Sequence, residues 1–290
     1  MKPLRVRLRQ ASKLQGIPQH VIEKDYALSY ILAGISRHPA LKDSLVFKGG
    51  TALKKMFFGK YRFSEDLDFS CKNAPTGDEL ERCIAEALEY ARSLLMEQGP
   101  FSFLLERYLE RDPHPHGQEA FTIRTQFPWH PEPLCRVKME ISHDEPVLIE
   151  PARRALIHDY YGETLQSEVT CYRLEEIIAE KLRTLLQTHA KLVTRGWNRP
   201  RSRDYYDLWQ ILKKFGGDFL PGRVIEILGP KNAHRNVFFQ ITEDFFSKEL
   251  VSEASRNWEN SLGAFVIDLP EFDQVMQELK PLIHQVLKGS

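Results

Sequence analysis

The stretch VFKGGTALKKMFFGKYRFSEDLDFS, residues 46–70, constrains the fold and the chemistry of this chain more than any other. Two adjacent glycines follow a short apolar run and precede a segment with helical character. Asp66 and Asp68 come next, with one apolar residue between them. Residues two apart on a strand point to the same face, so the pattern predicts two like charges about 6–7 Å apart. Such a pair repels unless a cation lies between the carboxylates.

A divalent metal ion would resolve the repulsion between these carboxylates. Hard oxygen ligands on an Asp-x-Asp strand suit Mg²⁺ or Mn²⁺, and these ions in turn bind nucleotide phosphates. An Asp-x-Asp pair alone is most often a solvated strand edge, and Gly-Gly alone is most often a turn. The succession of strand, Gly-Gly, helix and Asp-x-Asp strand therefore favours a metal and nucleotide site, with Asp66 and Asp68 as metal ligands.

The two glycines predict a phosphate-binding turn. A strand that ends in Gly-Gly and turns into a helix exposes backbone N–H groups that a phosphate can approach, because glycine has no Cβ. Thr51 can either bind a phosphate oxygen or cap the helix, and Ser64 shares the expected strand face of the two aspartates. The nucleotide-binding residues that we expect here are Lys48, Gly49, Gly50, Thr51 and Ser64.

A third carboxylate is expected, because a two-metal phosphoryl-transfer site normally takes an acidic ligand from another strand. The segment CRVKMEIS, residues 135–142, alternates between apolar and polar residues as a two-faced strand does. Its polar face consists of Arg136, Lys138, Glu140 and Ser142. We predict Glu140 as the third ligand; the alternative is a solvent-exposed glutamate without a metal.

Two predicted helices in the second half carry charged residues on apolar stripes. Lys181 lies on such a stripe in RLEEIIAEKLRTLLQ, and Asp204 lies on one in SRDYYDLWQILKKF. A charge in this position is unfavourable unless it has a partner or an opening to water. We therefore expect Lys181 and Asp204 to pair at the inner, cleft-facing surface of the helical half. Asp207 lies on a nearby face and can pair locally with Arg203, four residues earlier. Whether Asp204 or Asp207 is the functional acid stays open.

A basic segment, HAKLVTRGWNRPRSR, lies between these two helices and contains no acidic residue. Cations interleaved with an aromatic ring can hold an RNA backbone and stack a base. A solvated flexible loop is the alternative, and the basic N-terminal segment MKPLRVRLRQASKLQG allows the same two interpretations. The possible RNA-binding residues are Arg195, Trp197, Arg199 and Arg201.

The charge balance indicates no class of partner by itself. Lys+Arg and Asp+Glu both number 40, so any attraction to nucleic acid has to come from local charge. The sequence contains no apolar run long enough to span a bilayer. Its four cysteines are widely spaced, without a CxxC pair, and so favour neither a zinc ribbon nor a disulfide framework. We expect a cytoplasmic protein without a membrane partner.

The order of the predicted elements indicates an α+β fold in two parts. In residues 1–165, runs such as LVFKGG, RFSEDLDFS and CRVKMEIS are typical of strands, and long amphipathic segments between them are typical of helices. Residues 166–290 are expected to form a mainly helical domain that closes the active cleft.

FKGGTAL followed by SEDLDFS resembles the first motif of the nucleotidyltransferase (DNA polymerase β-like) superfamily, and more narrowly the AbiEii/AbiGii toxin branch, which includes the MenT toxins. EKDYALSYIL, AEKLRTLL and RDYYDL extend the resemblance over most of the chain. It implies a mixed sheet of the nucleotidyltransferase type with flanking helices. It also implies a third carboxylate, matched by Glu140, and Lys and Arg-Asp motifs, matched by Lys181 and Arg203-Asp204.

The resemblance implies transfer of a nucleoside monophosphate from an NTP to an acceptor hydroxyl, with RNA, and first of all the tRNA 3′ end, as acceptor. Asp66, Asp68 and Glu140 would hold Mg²⁺ or Mn²⁺. Lys181 would contact the triphosphate or the leaving group, and Asp204 would orient Lys181 or activate the acceptor.

The biological setting that this resemblance implies is a toxin of a toxin–antitoxin or phage-defence system, held in check by a partner antitoxin. Two alternatives stay open. One is a nucleotidyltransferase that modifies a protein or small-molecule hydroxyl, and the other is a non-catalytic NTP-binding regulator.

Overall fold

The computed structural model describes residues 2–108, 117–160, 162–196, 199–220 and 222–288. The chain divides into two compact units, Met1–Tyr172 and Arg173–Ser290. The first unit therefore extends seven residues past the expected division at residue 165, because a strand at Glu168–Cys171 still pairs with the sheet of the N-terminal half.

The first unit combines helices with one mixed sheet. Its helices are α1 (Leu4–Gln15), α2 (Gln19–Arg37), α3 (Gly49–Ala52), which continues as a π-helical turn (Leu53–Phe58), and α4 (Gly77–Leu94), which is followed by a 3₁₀ turn (Met96–Gln98). Helix α1 forms in the basic N-terminal segment, for which the sequence allowed either RNA binding or a solvated flexible loop; a loop over these residues is wrong. It ends at Gly16, whose left-handed backbone suits glycine best.

The described strands form one sheet in the spatial order β3-β4-β5-β2-β1-β7-β6. Their bounds are β1 Leu45–Lys48, β2 Leu67–Cys71, β3 Ser102–Arg107, β4 Gln118–Gln126, β5 Cys135–Ser142, β6 Ala152–Ala155 and β7 Glu168–Cys171. β2 runs parallel to β5 and β1 parallel to β7, whereas the other neighbours are antiparallel. The α+β fold predicted from the sequence, with a mixed sheet, is confirmed.

One face of the central strands packs into the hydrophobic core. The rings of Phe47 on β1 and Phe69 on β2 lie 5.2 Å apart, and both side chains are fully buried. The buried residues of α2 and α4 belong to the same core. Because burial of each large apolar side chain contributes about 1.5–3 kcal/mol, this face fixes which residues of the strands must point the other way.

The second unit is helical. Its helices are α5 (Leu174–Arg195), α6 (Ser202–Phe215), α7 (Arg223–His234), α8 (Lys248–Arg256), α9 (Trp258–Leu262) and α10 (Phe272–Lys288), with 3₁₀ turns at Gly216–Asp218 and Thr242–Phe246. A fully buried ion pair joins α5 to α7, with Lys231 Nζ 3.2 Å from Glu176 Oε1. Such a pair holds the two helices in one register, because either charge alone in the core would be unfavourable.

A search of the described ranges for membrane-crossing helices finds none of sufficient length and apolar character.

We expect Phe69→Ala to lower the free energy of unfolding by about 3–5 kcal/mol, because it leaves a cavity between the sheet and its helices. Urea-induced unfolding, followed by tryptophan fluorescence, measures this change. Met96→Ala is the control, since Met96 is 70% exposed and its loss should change stability by less than about 0.5 kcal/mol. Equal stability of the two variants would contradict the placement of Phe69 in the core.

Candidate active site

Three charged residues lie abreast across the centre of the sheet. The strand register pairs Lys48 on β1 with Asp68 on β2, and Asp68 with Glu140 on β5. Residues paired in this way project from the same face of a sheet. Since the residues on either side of them along the strands, such as Phe69, are buried in the core, this charged row occupies the opposite face.

Lys48 is the most buried member of the row. Its side chain is only 8% exposed, and its ammonium lies 5.7 Å from the centre of the Tyr172 ring. The Tyr172 hydroxyl in turn shares a 2.7 Å hydrogen bond with Ser70, which follows Asp68 by two positions on the same face of β2. Buried polar contacts through Tyr172 thus connect Lys48 on β1 with Ser70 on β2.

The glycine turn follows β1 directly and packs against Asp68. Gly49 has φ +78°, and a Cβ at this position would collide with the Asp68 carboxylate. A Cβ on Gly50 would lie 2.5 Å from Arg62 Nη2 and 3.1 Å from Ser64 Oγ. Gly49 is therefore required by its backbone conformation and by the close approach of Asp68, whereas a side chain at Gly50 would displace Arg62. The turn gathers Asp68, Arg62 and Ser64 around one stretch of backbone.

Thr51 fixes this turn to the second aspartate. Its hydroxyl donates a 2.6 Å hydrogen bond to the backbone carbonyl of Asp66, and its side chain is 1% exposed. The cap position of α3 belongs to Lys48 instead, so the alternative that Thr51 caps the helix is wrong. The threonine holds the backbone of Asp66, an arrangement that the sequence motif could not indicate because it joins residues 15 positions apart.

The strand that carries the aspartates is shorter than expected. β2 begins at Leu67, so Asp66 and Ser64 lie in the irregular segment before the strand, and the expectation of one continuous strand face from Ser64 to Ser70 is wrong. Both aspartates are half-buried, whereas Leu67 between them is fully buried. The alternation that made the pair recognisable is therefore present across residues 66–68.

The carboxylate of Glu140 is engaged by two side chains of its own sheet. Its Oε1 accepts hydrogen bonds of 2.7 Å from Lys138 Nζ, two residues earlier on β5, and of 2.7 Å from Gln118 Nε2 on β4. The Glu140 side chain is 27% exposed. Its negative charge is thus balanced by Lys138 in this arrangement.

The donor set of this face fits a hard divalent cation in type and strand position. Asp66 and Asp68 offer oxygen ligands of the kind that Mg²⁺ and Mn²⁺ prefer, and Glu140 is adjacent to Asp68 in register. In the ranges that the structure describes, however, no three His, Cys, Asp or Glu side chains are gathered closely enough to hold a metal ion. A metal ion at this face would compete with Lys138 for the Glu140 carboxylate.

A second charged cluster lies in the helical unit. Lys181 Nζ on α5 is 2.8 Å from Asp204 Oδ1 and 2.7 Å from Asp207 Oδ2, both on α6. The predicted pairing of Lys181 with Asp204 is confirmed. Asp207, for which local pairing with Arg203 was possible, contacts Lys181 as well, because residues 204 and 207 share a helix face at a spacing of three. Asp207 is fully buried, whereas the Asp204 side chain is 17% exposed.

The predicted RNA-binding residues of the helical unit have different surroundings. Arg195 ends α5 and is exposed, as is Arg199. Arg201 precedes α6; its Nε donates a 2.7 Å hydrogen bond to Thr188 Oγ1, and its Nη1 lies 3.6 Å from Asp204 Oδ2. Burial lowers the pKa of Arg201, and Asp204 opposes this shift. Trp197 lies outside the described residues.

A buried network around Lys55, five residues after Gly50, was not predicted from the sequence. Lys55 Nζ, in the π-helical turn after α3, lies 2.7 Å from Asp25 Oδ2 and donates a 2.9 Å hydrogen bond to Ser29 on α2. Tyr160 donates to the same Asp25 oxygen at 2.9 Å. Burial lowers the pKa of Lys55, and Asp25 opposes this shift. The only sequence signal was a lysine pair inside an otherwise apolar segment, which does not reveal a distant partner.

Comparison with known proteins shows the family and the fold of this chain. The model of the family described as "Nucleotidyl transferase AbiEii toxin, Type IV TA system" matches residues 30–278. No curated protein matches the sequence.

Among solved structures, the chain is similar to MenT4, a nucleotidyltransferase toxin from Mycobacterium tuberculosis H37Rv, with a TM-score of 0.67. The sequences are 19% identical, and the match covers 100% of this chain and 91% of that chain. At this identity the likeness shows the fold. The family match covers most of the 290 residues, and the chain therefore belongs to the AbiEii nucleotidyltransferase toxins of type IV toxin–antitoxin systems.

Proposed function

We propose that this toxin transfers a nucleoside monophosphate from an NTP to a hydroxyl group of RNA, with the 3′ end of tRNA as the leading acceptor. Membership of its family establishes that the chain is a nucleotidyltransferase toxin. The observation that carries NTP-dependent transfer is the row of Lys48, Asp68 and Glu140 beside the two glycines, whereas the exposed Arg195 and Arg199 support RNA as the acceptor. Carboxylates for a metal, a cation and bare backbone at one place suit a triphosphate.

Asp66 and Asp68, with Glu140 as the third ligand, would hold Mg²⁺ or Mn²⁺. When bound, the metal supplies positive charge at the reacting phosphate and makes the acceptor hydroxyl a better nucleophile. The competition for the Glu140 carboxylate is a local one, because its present partner Lys138 is on the same strand. Thr51 holds the backbone of Asp66 in place through its hydrogen bond to the carbonyl.

The remaining residues of this face would bind the triphosphate. Gly49 and Gly50 leave the backbone of the turn free of Cβ atoms, so phosphate oxygens can approach its N–H groups. Ser64 adjoins Gly50 and can donate its hydroxyl hydrogen to a phosphate oxygen. Lys48 places a cation next to Asp68, which offsets negative charge where the triphosphate would add more.

Lys181 and Asp204 are proposed to assist the transfer. The ammonium of Lys181 would neutralise charge as pyrophosphate departs, and Asp204 would orient that ammonium or activate the acceptor. The contact of Lys181 with both Asp204 and Asp207 supports an orienting role for the carboxylates, since two acceptors restrict the direction of one ammonium.

A cognate antitoxin is implied by the family, whose members are toxins of type IV systems. We propose that the pair acts in phage defence. The exposed arginines Arg195 and Arg199 are proposed, together with Trp197 and Arg201, to contribute to RNA binding.

Incubation of the protein with each α-labelled NTP, Mg²⁺ and total RNA, followed by separation of RNA from protein, tests the proposed function. We expect label in the RNA fraction. Asp68→Asn should lower the rate at least about 100-fold, which corresponds to about 2.7 kcal/mol of lost transition-state stabilisation, because it removes a metal-binding charge.

Glu65→Gln is the matched control for this substitution. Glu65 is a neighbouring carboxylate that pairs with Lys24 at 2.6 Å and has no place in the proposed machinery. Its variant should keep nearly the full rate. Label in the protein fraction alone would reject RNA as the acceptor, and undiminished transfer by Asp68→Asn would reject the metal site.

The two aspartates on Lys181 should differ in what they contribute. Asp207→Asn is expected to lower the free energy of unfolding by about 1–3 kcal/mol, because it weakens a fully buried contact to a charged group while Asp204 continues to compensate Lys181. Asp204→Asn should cost less stability, since Asp204 is partly exposed, and more activity. Thermal unfolding and the labelling assay measure the two effects. Full transfer by Asp204→Asn with impaired transfer by folded Asp207→Asn would reverse the assignment.

A further inference from the structure

The face that carries Glu140 continues outward over β5, β4 and β3 as a mainly polar surface. Along β5, Lys138 and Arg136 precede Glu140 by two and four residues, so they share its face. The register pairs Arg136 with Arg124 on β4, and Arg124 with Leu104 on β3. The surface therefore begins at the proposed metal ligand and extends to the edge strand of the sheet.

Two arginines stand directly opposite each other on this surface. Like charges at paired positions of antiparallel strands destabilise a sheet. Arg124 is compensated by Glu106, whose Oε2 lies 2.9 Å from its Nε. Arg136 is exposed, and within the described part of the chain it makes no hydrogen bond or ion pair. An anion from outside the protein would relieve this repulsion.

The same surface presents exposed apolar groups. Tyr108 is 43% exposed and Leu104 is 48% exposed. The hydrogen bond from the Tyr108 backbone N–H to the carbonyl of Ala120 continues the β3–β4 register by one residue, which places Tyr108 on the Glu140 face. Lys138 Nζ lies 5.0 Å from the centre of the Tyr108 ring, in agreement with that position.

Cations beside an exposed aromatic ring are typical of surfaces that bind single-stranded nucleic acids. Arginine and lysine bind the phosphates, and the ring stacks on a base of any sequence. Arg136 lies four residues from Glu140, about 13 Å along the strand, a length that about four stacked nucleotides span. An RNA chain whose end lies at the carboxylates would thus have its preceding phosphates within reach of these cations.

We propose that this surface, defined by Leu104, Tyr108, Arg124, Arg136 and Lys138 and called here the acceptor face, binds the single-stranded end of the RNA acceptor. Arg136 and Lys138 contact its phosphates, and Tyr108 stacks on a base. The inference rests on the proposed function, whose acceptor it locates on the sheet. It also explains how a chain with no net charge binds RNA, since the positive charge is local.

Arg136→Gln is the sharpest probe of the acceptor face. Lys138 contacts Glu140, so its substitution would disturb the proposed metal site as well, whereas Arg136 has no such contact. The test measures binding of a fluorescent single-stranded RNA to the full chain, without NTP, by anisotropy at several salt concentrations. Arg136→Gln should weaken binding several-fold and reduce the slope of log K against log salt by about 0.7 for each lost phosphate contact.

Tyr108→Leu should weaken the same binding about 5-fold or more, because base stacking on the ring is lost while the salt slope is kept. Arg92→Gln is the matched control. Arg92 is an exposed arginine on α4 that pairs only with Glu89 among the described residues, so its variant should bind as the wild type does. Thermal unfolding verifies that each variant is folded.

Failure of this inference is distinguishable from failure of the proposed function. If the wild type labels RNA while Arg136→Gln retains its RNA affinity and salt slope, the acceptor face is wrong and the activity stands. If the wild type binds no single-stranded RNA, the inference is overturned. If a polyglutamate peptide then binds in an Arg136-dependent way, the face takes an acidic protein instead. Arg136-dependent RNA binding supports the face even where transfer to RNA is absent.

Discussion

The pairing of β1, β2 and β5 is the constraint on which both the stability and the proposed chemistry of the first unit depend. The register that aligns Lys48, Asp68 and Glu140 on one face aligns Phe47, Phe69 and Ile141 on the other. A slip of one residue would turn the charged row into the core and the aromatic rings to the opposite face. The burial of the rings therefore stabilises the arrangement of the charges, although it lies on the opposite side of the sheet.

The glycine turn shows how tightly this arrangement is packed. The Asp68 carboxylate occupies the space that a Cβ on Gly49 would need, and the Thr51 hydroxyl donates a hydrogen bond to the backbone carbonyl of Asp66. Each of these contacts joins the turn to one of the predicted metal ligands, Asp68 or Asp66. The turn therefore positions both aspartates. The buried ion pair of Lys55 and Asp25 connects the π-helical turn that follows to helix α2. The motif is thus supported by residues that a motif search would not select.

The parts of the site that the sequence predicted are those with a local period. Alternation in CRVKMEIS identified the face of Glu140, and the helical stripes identified Lys181 and Asp204 as partners. Contacts between distant segments left no such signal: the hydrogen bond of Thr51 to Asp66 and that of Gln118 to Glu140 join residues 15 and 22 positions apart. Strands β6 and β7, at four residues each, are too short to show a period and form through pairing with distant strands.

The central claim is that the carboxylates of the charged row bind a divalent metal together with a nucleotide. Titration of Mn²⁺ into the protein, followed by electron paramagnetic resonance with and without a non-hydrolysable NTP analogue, tests it without reference to any acceptor. The account predicts saturable Mn²⁺ binding that the analogue strengthens and that Asp68→Asn, shown to be folded by circular dichroism, loses. Equal Mn²⁺ binding by the wild type and Asp68→Asn in the presence of the analogue would contradict it.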